Sequence, residues 1–181
     1  MKPVVDVRLI ETGRLSDADR SAIRALLDEA FDGDFSDEDW RHALGGWHAI
    51  VRLDASVVAH AALVERRIAV GTRLFRTGYV EAVAVRPSHQ RTGLGTAVMA
   101  SLSELVRTRF ELGALSTGEW QVYEPLGWER WQGPTYVRAD DGGLVRSAGE
   151  DETVMVLRCA ASQDIDPTAP ITCDERAGDS W

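Results

Sequence analysis

The feature that most constrains the fold of this chain is a β-rich run at residues 79–85 that leads, through a short glycine-bearing loop, into a helix. Arg86 and Pro87 end the run, and glycines follow at positions 93 and 95. Apolar residues then recur at helical spacing, at Leu94, Ala97, Val98, Leu102, Leu105 and Val106. A loop that opens a helix gathers free backbone N–H groups and the positive end of the helix dipole, which suits a pyrophosphate.

The glycines leave more than one interpretation of this loop open. Gly93 and Gly95 would let the main chain approach phosphates closely, and Arg91 could add positive charge at the rim. The same residues are compatible with an ordinary strand–turn–helix whose glycines only make the turn. A dinucleotide-binding loop fits less well, because the third glycine of that motif is missing and no β-α-β unit with a ribose-binding acid is evident.

Composition restricts the class of protein. The chain has 181 residues, of which 44% are hydrophobic, so we predict a single domain over residues 1–181. Its formal net charge of -9 argues against a nucleic-acid partner and favours a cationic one. Two cysteines are too few for a disulfide framework, residues 1–6 lack the apolar core of a signal peptide, and no apolar run approaches about 20 residues. We therefore expect a cytoplasmic protein without a membrane partner.

The strand and the loop resemble the acetyl-CoA-binding segment of the GNAT superfamily of N-acetyltransferases. A Val83-x-Val85 strand precedes the pattern Gln-x-x-Gly-x-Gly at residues 90–95. The resemblance implies acetyl-CoA as co-substrate, with the backbone of a splayed strand along the pantetheine arm and the loop around the pyrophosphate. The implied contacts are Val83, Ala84, Val85, Gln90, Arg91, Thr92, Gly93, Leu94, Gly95 and Thr96.

The order of predicted elements also matches that superfamily. Ser16, with Asp19, is predicted to cap a helix that packs through Ile23, Leu26, Leu27, Ala30 and Phe31, and a second helix is predicted from Ser36 to Leu44. Strands are predicted at residues 5–10, 48–53, 57–65, 73–85, 112–115, 128–136 and 154–157, with a short helix near 120–123. The resemblance implies an α+β GNAT fold: a mixed, mostly antiparallel, twisted sheet of about seven strands, flanked by helices, with a bulged and splayed central strand.

Several blocks of sequence closely resemble the bacterial aminoglycoside 2'-N-acetyltransferases, and together they span nearly the whole chain. They are residues 33–36, 39–40, 42–46, 78–81, 112–116, 123–128 and 173–181. That family implies a cationic aminoglycoside substrate, bound by carboxylates and backbone carbonyls. The implied contacts are Asp34, Asp39, Glu81, the main chain of Ala82, Ser116, Glu150, Asp151, Asp179 and the terminal carboxylate of Trp181. Instead of contacting the substrate, Trp181 could pack in the core or in a dimer interface.

Transfer of an acetyl group to an amine needs a base for the amine, a donor for the thioester carbonyl and an acid for the departing thiolate. Glu81, two residues before Val83, is the predicted base, acting through an ordered water; the other interpretation is a structural acid paired with an arginine. The N–H of Val83 is predicted to polarise the carbonyl. The resemblance implies that Tyr123 lies near the coenzyme sulfur, where a phenol can protonate the thiolate.

Two other functions stay open at this point: a GNAT enzyme for another amine, such as a polyamine, metabolite or protein amine, and a non-catalytic acyl-CoA-binding module. The resemblance implies a homodimer, for which exposed aromatic residues at 128–131 could build a seam. No metal site is predicted, because the histidines are scattered; His60, in an apolar strand, is predicted to be a satisfied core residue. Neither cysteine has a partner motif, so direct transfer in a ternary complex is predicted.

Overall fold

The structure, a computed structural model, describes residues 5–181; residues 1–4, which belong to the segment predicted to lack a signal peptide, lie outside this range. The described part contains ten strands and three α-helices. The strands are β1 (Arg8–Glu11), β2 (Trp47–Leu53), β3 (Ser56–Val70), β4 (Arg73–Val85), β5 (Leu112–Ser116), β6 (Glu129–Arg130), β7 (Thr135–Arg138), β8 (Leu144–Arg146), β9 (Val154–Arg158) and β10 (Ile171–Asp174). The helices are α1 (Asp17–Ala30), α2 (Asp37–His42) and α3 (Leu94–Arg109).

The chain forms two compact units, and β3, β4 and α3 each contribute residues to both. The first unit contains the residues up to 64 and residues 80–102. The second unit contains residues 65–79 and 103–181. The single domain over residues 1–181 stays a prediction.

Helix α1 begins as the sequence predicts. Ser16 Oγ accepts the Asp19 N–H at 3.0 Å, and Asp19 Oδ2 accepts the Ser16 N–H at 3.2 Å, which satisfies N–H groups at the helix start. The predicted core residues Ile23, Leu26 and Leu27 are 0% exposed. The predicted packing of Phe31 is wrong, because Phe31 follows the last helical residue and is 41% exposed.

The core of the first unit joins α1 to the strands. Ile10, Ile50 and Val57, from β1, β2 and β3, share one buried cluster with the apolar face of α1 and with Ala84 of β4. Strand β2 pairs antiparallel with both β1 and β3. At the start of β2 the chain passes so close to β3 that a Cβ added to Gly46 would lie 1.9 Å from the Leu63 carbonyl oxygen. Only glycine fits there.

Strand β4 has the bounds that the sequence predicts, whereas β3 continues past the predicted end to Val70. The described register pairs β4 in parallel with β5 from Thr77 to Tyr79. Beyond that point Ala82 has a φ of +52°, a left-handed conformation that is uncommon for a residue with a Cβ. A backbone irregularity therefore interrupts β4 at Ala82, as expected for a bulged strand.

The second unit departs most from the prediction, because residues 128–136 are not one strand. Instead β6 pairs with β9, while β7 pairs with β8 and β10. Between β6 and β7 the N–H groups of Gln132 and Gly133 both bond the Pro167 carbonyl, and a Cβ added to Gly133 would lie 2.0 Å from the Ala169 oxygen. This close contact with the loop before β10 replaces strand pairing. Strands β8 and β10 themselves were not predicted.

The aromatic residues of this segment are core residues. Trp128 is 2% exposed and Trp131 is 3% exposed. Trp128 Nε1 donates to Ser103 Oγ at 2.9 Å, and Trp131 Nε1 donates to the Ala169 carbonyl at 3.0 Å. The prediction that these side chains form an exposed dimer seam is therefore wrong. Both cysteines are also buried in the second unit, Cys159 just after β9 and Cys173 within β10.

The strands follow the order β6-β9-β5-β4-β3-β10-β7-β8, with β1 and β2 continuing from β3. Among the described pairings, β4–β5 and β7–β10 are parallel and the others are antiparallel. The predicted α+β class with a mixed, mostly antiparallel sheet is confirmed, although the sheet has ten strands. No helix within residues 5–181 is both long enough and apolar enough to cross a membrane.

Candidate active site

The loop between β4 and α3 presents backbone N–H groups at a helix start. Arg91 and Gly93 have φ angles of +61° and +89°. The N–H groups of residues 91–96 donate to no acceptor among the described residues, and the helix ladder begins with the bond from Ala97 N–H to Gly93 O at 3.0 Å. Because these N–H groups lie at the positive end of the helix dipole, the loop fits the pyrophosphate of a coenzyme.

This loop lies directly against the end of β4. A Cβ added to Gly95 would be 3.4 Å from Val85 Cγ2, and Leu94 is buried. The Thr92 hydroxyl donates to the His89 carbonyl at 2.6 Å, and Gln90 Nε2 donates to the Val85 carbonyl at 3.4 Å. The residues predicted to hold the pantetheine arm and those predicted to hold the pyrophosphate are thus neighbours in the first unit.

Strand β4 carries the predicted base beside its irregular residue. Glu81, Ala82 and Val83 are each half-buried. The Ala82 carbonyl accepts a hydrogen bond from His60 Nδ1 at 2.8 Å. Since a carbonyl oxygen has two lone pairs, the bond from His60 does not by itself exclude a substrate as a second partner.

The acidic segment around α2 belongs to the same unit and flanks the same core. Phe35 is 8% exposed and packs in the buried cluster that contains Ala84, against which Trp40 and Ala82 also pack. Asp34, just before Phe35, is exposed. The carboxylate of Asp39 has a structural task, because its Oδ2 accepts the N–H of Ser36 at 2.8 Å in the cap of α2.

In the second unit the structure brings together Ser116 and Glu150, two of the residues predicted to contact the substrate. The Ser116 hydroxyl, at the end of β5, donates to Glu150 Oε2 at 3.1 Å. The Thr153 hydroxyl donates to the same oxygen at 2.6 Å. Thr153, which was not predicted from the sequence, helps to hold the Glu150 carboxylate in place.

Asp151, the neighbour of Glu150, is engaged in a different way. Its carboxylate accepts from Arg146, and Asp151 Oδ1 also accepts the N–H and the hydroxyl of Thr135 at 3.0 Å and 2.9 Å. Arg146, followed by Thr135, holds the pKa of Asp151 well below its usual range. These hydrogen bonds and the ion pair hold the Asp151 carboxylate against β7. Asp151 is therefore bound more fully by groups of the protein than Glu150 is.

The last residues of the chain pack onto the same part of the second unit. Trp181 is 4% exposed, and its Nε1 donates to Ser147 Oγ at 3.1 Å. Ser147 Oγ in turn donates to Thr135 Oγ1 at 3.0 Å. Asp179 Oδ1 accepts the Trp181 N–H at 3.1 Å. A continuous hydrogen-bonded path therefore joins Trp181 to Thr135, which binds Asp151.

Tyr123 lies at the junction of two short 3-10 turns, of which the first, Trp120–Val122, coincides with the short helix predicted near residues 120–123. Its side chain is 8% exposed. Burial raises the pKa of Tyr123 above the ordinary value of 10.0, the charge of Glu119 adds to this rise, and a hydrogen bond with Thr117 opposes it. The phenol is therefore protonated at neutral pH and able to act as an acid.

Comparison with known proteins identifies the family. Residues 11–131 match the family described as Acetyltransferase (GNAT) domain. The chain belongs to the GNAT acetyltransferase family. A protein of Mycolicibacterium fortuitum named aminoglycoside 2'-N-acetyltransferase is 44% identical over 178 residues, which are 96% of this chain and 91% of that protein.

Solved structures agree with this acetyltransferase fold. The GNAT family N-acetyltransferase YhbS from Escherichia coli, in complex with CoA, superposes with a TM-score of 0.69 over 98% of this chain and 97% of that chain, at 16% identity. A GCN5-related N-acetyltransferase from Kribbella flavida superposes with a TM-score of 0.59 over 72% of this chain, at 24% identity. This chain spans 34% of the length of that protein.

Sequence analysis of this acetyltransferase missed a pair of buried histidines. His60 is 0% exposed and hydrogen-bonded, which confirms it as a satisfied core residue, but its partner is His48, also 0% exposed. In the β2–β3 hairpin Ile50 pairs with His60, and His48 pairs with Ala62, so the histidines are diagonal neighbours on one face. Counted back from the turn at residues 54–55 without a bulge, the register would pair Ala49 with His60 and place the two histidines on opposite faces. The register shift between Val51 and Arg52 brings them to the same face, so the sequence alone did not reveal the pair.

No group of three or more His, Cys, Asp or Glu side chains within residues 5–181 is arranged to hold a metal ion.

Proposed function

We propose that this acetyltransferase transfers the acetyl group of acetyl-CoA to the 2'-amino group of aminoglycoside antibiotics, by direct attack in a ternary complex, and thereby confers resistance. The observation that carries the proposal is the 44% identity, over 96% of the chain, to a protein named for that reaction. An alignment of this length includes both the coenzyme loop and the acidic segments. It therefore supports the substrate as well as the fold.

Acetyl-CoA supplies the thioester when it is bound. The N–H groups of residues 91–96 would hold the pyrophosphate, with Gln90 and Arg91 at the rim, because they have no acceptor among the described residues. The backbone of residues 83–85 would hold the pantetheine arm. The Val83 N–H would polarise the thioester carbonyl as negative charge develops on its oxygen.

Proton transfer is assigned to two side chains. Glu81 would remove the proton of the attacking amine, through an ordered water, because it directly precedes the irregular residue Ala82. Tyr123 would protonate the thiolate of CoA, because its phenol carries a proton at neutral pH.

Carboxylates would bind the ammonium groups of the substrate. In the second unit these are Glu150, with Ser116 beside it, then Asp151 and Asp179 next to the buried Trp181. In the first unit they are Asp34, Asp39 and Glu81, with the carbonyl of Ala82. A unit charge pair at 4 Å gains ~1 kcal/mol in bulk water and ~4 kcal/mol at an effective dielectric constant of 20, so several pairs favour a polyamine-like sugar over a monoamine.

The test is a turnover assay with matched substrates. Purified enzyme and acetyl-CoA are mixed with an aminoglycoside that has a 2'-amine, such as tobramycin, and with one that has a hydroxyl at the same carbon. We expect CoA release with the first only, and a product 2'-N-acetylated by NMR. Acetylation of polyamines or peptides but not of tobramycin would support the alternative of another amine. Coenzyme binding without any turnover would support a non-catalytic module.

We further propose a cytoplasmic homodimer, by analogy with the family. The aromatic residues at 128–131 are not available for its interface, because Trp128 and Trp131 are buried. Light scattering after size-exclusion chromatography measures the mass; a value near the 19.9 kDa of one chain would contradict the dimer.

A further inference from the structure

We propose that His60 is a positioning residue, which fixes the Ala82 carbonyl and with it the backbone that carries Glu81 and Val83, and that His48 sets the tautomer of His60. This inference rests on the proposed acetyl transfer for its kinetic consequences. Its structural part, the tautomers and the backbone position, stands independently of any substrate.

The hydrogen bonds run in a single direction. A carbonyl oxygen only accepts, so His60 Nδ1, 2.8 Å from the Ala82 oxygen, carries the proton. In a neutral imidazole the other nitrogen is then an acceptor, so His60 Nε2 accepts from His48 Nδ1 at 2.9 Å. By the same argument His48 Nε2 accepts from the Thr12 hydroxyl at 2.8 Å, a shorter distance than the 3.2 Å from that hydroxyl to the Gly46 carbonyl.

The far end of this chain of hydrogen bonds is anchored in the backbone. Thr12 Oγ1 accepts the Gly45 N–H at 3.0 Å, in the loop between α2 and β2. The path therefore links the loop after α2, whose cap contains Asp39, to the irregular residue of β4. Every group along this path has a partner, which gives both rings one orientation and one tautomer.

Burial keeps both rings neutral. It lowers the pKa of His60 to about 3, and the proximity of His48 adds to this. It lowers the pKa of His48 to about 4, with a further contribution from the charge of Arg20. Arg20 is itself held by a bond to the Thr12 carbonyl at 2.8 Å, so a cation faces the pair from α1. At neutral pH the pair therefore works as a fixed donor and not as a base.

Ala82 needs such a donor. Its φ of +52° is unfavourable for a residue with a Cβ, and the cost is of the same order as the net stabilisation from one buried hydrogen bond. The conformation of residue 82 decides where the Glu81 side chain and the Val83 N–H point. Without the bond from His60, β4 can relax toward a regular strand and move both groups away from the thioester.

Two substitutions separate the bond to Ala82 from the bond to His48. The amide of asparagine reaches the position of imidazole Nδ1, and the longer glutamine reaches that of Nε2. His60→Asn therefore keeps a donor to Ala82, whereas His60→Gln keeps the contact with His48 and loses the donor. Both introduce an amide of similar polarity into the same buried site, so each is the control for the other.

We expect His60→Gln to lower kcat about 10- to 100-fold, with an unchanged KM for acetyl-CoA, and His60→Asn to remain within about threefold of the wild type. A merely structural role would instead lower the melting temperature of both variants and leave kcat per folded molecule equal. That result would overturn the proposal.

Nitrogen-15 NMR of the imidazoles and of the amides of residues 81–83 gives the second measurement. We expect Nδ1-protonated tautomers for His48 and His60 at pH 7, and amide shifts at 81–83 that change in His60→Gln but not in His60→Asn. An Nε2-protonated His60 would refute the inference even in active enzyme. A wild type without aminoglycoside turnover would contradict the proposed function alone, because the NMR result needs no substrate.

Discussion

Three residues with a left-handed backbone lie in or beside the coenzyme segment. Ala82, Arg91 and Gly93 all have positive φ within a dozen positions of one another. The conformation costs a residue with a Cβ about 1 to 2 kcal/mol, a cost that glycine does not carry. At Gly93 this conformation orients the N–H groups that open α3.

We therefore predict that Gly93→Val weakens acetyl-CoA binding at least about tenfold, because valine must leave the positive φ region and turn the loop N–H groups away. The fold should survive, since an added Cβ at Gly93 meets no atom within 4 Å. Isothermal calorimetry measures the affinity. Gly118→Val is the control: Gly118 is equally open but has no positive φ, so its affinity should stay at the wild-type value. Undiminished binding by folded Gly93→Val protein would remove the basis for the pyrophosphate site.

A second prediction at this scale concerns the base. Glu81→Gln should lower kcat by about 100-fold or more, leave the acetyl-CoA affinity unchanged and flatten the acidic limb of the pH–rate profile. Glu104→Gln, an exposed substitution on α3, is the control and should be neutral. If Glu81→Gln retains both the rate and the pH profile, Glu81 is structural and another base must act.

Which single residues the sequence could predict depends on how local their partners are. The cap of α1 by Ser16 and Asp19 was predicted correctly, because both partners lie within one helical turn, whereas the part of Asp39 in the cap of α2 was not predicted. The contact of Trp128 with Ser103 was not, because it joins residues 25 positions apart. Pattern analysis reports that a side chain is apolar or polar, but the neighbour that satisfies its N–H is set by the fold.

At the start of β2 a glycine allows the backbone to approach β3 closely. Gly46, at the start of β2, lies against the backbone of β3, and a Cβ there would be 1.9 Å from Leu63 O and 2.9 Å from Leu63 C. Backbone atoms in the middle of a paired strand cannot move aside as a flexible side chain can. The β2–β3 hairpin, which also carries both histidines, depends on this contact.

Gly46→Ala should therefore destabilise the protein by about 3 kcal/mol or more, near the upper end of the range for overpacking. Urea denaturation followed by tryptophan fluorescence measures the loss. Gly13→Ala is the matched control, since a Cβ at Gly13 meets nothing within 4 Å and its φ is ordinary; it should change stability by less than about 0.5 kcal/mol. Equal stability of the two variants would show that β3 yields at Leu63.

At the scale of elements, long patterned segments were predicted well and short ones were not. Strand β4 has the predicted bounds because apolar and β-branched residues recur along it and proline is absent from it. Strand β8 has three residues, of which Leu144 and Val145 are 61% and 59% exposed, so no buried face produces a pattern. The predicted strand at 128–136 failed at Gly133-Pro134, where contact with residues 167–169 takes the place of pairing.

For the whole molecule, the buried histidines predict a loss of stability in mild acid. Both have pKa values below the ordinary 6.5 in the folded protein, about 4 for His48 and about 3 for His60. Between these values and 6.5 the unfolded chain binds more protons than the folded chain. The contribution of the two neutral histidines to the free energy of unfolding is therefore fully present above pH 6.5. It falls as the pH drops toward 4, by up to about 1.4 kcal/mol per pH unit for each histidine.

Urea denaturation at pH 7.0 and pH 5.0 measures this effect. The carboxylates with lowered pKa, such as Asp19 and Asp151, lose their contribution only at lower pH, because their ordinary value is 3.8. His60→Asn removes one of the titrating groups and should reduce the difference between the two pH values. If the wild type had the same free energy of unfolding at pH 7.0 and pH 5.0, His48 and His60 would have to take up protons in the folded state as readily as in the unfolded chain.

The candidate site could be predicted from the sequence only as a set of residues. The resemblance implied that Ser116, Glu150 and Asp151 all contact the substrate. In the structure Glu150 is hydrogen-bonded to Ser116, whereas Asp151 is bound by Arg146 and Thr135. Which acid stays accessible depends on pairings over 16 to 34 positions along the chain. The spacing of these residues in the sequence does not indicate such pairings.

Cys159 and Cys173, the two cysteines of the chain, give the second unit a chemical reporter. Both are free and buried, and burial raises the pKa of the Cys173 thiol to about 11 and that of Cys159 above its ordinary value of 9.0. The thiolate that reacts with alkylating reagents is thus both scarce and shielded while the unit is closed. The rate of pulsed alkylation therefore measures how often β10 and the end of β9 open, without any label being engineered into the protein.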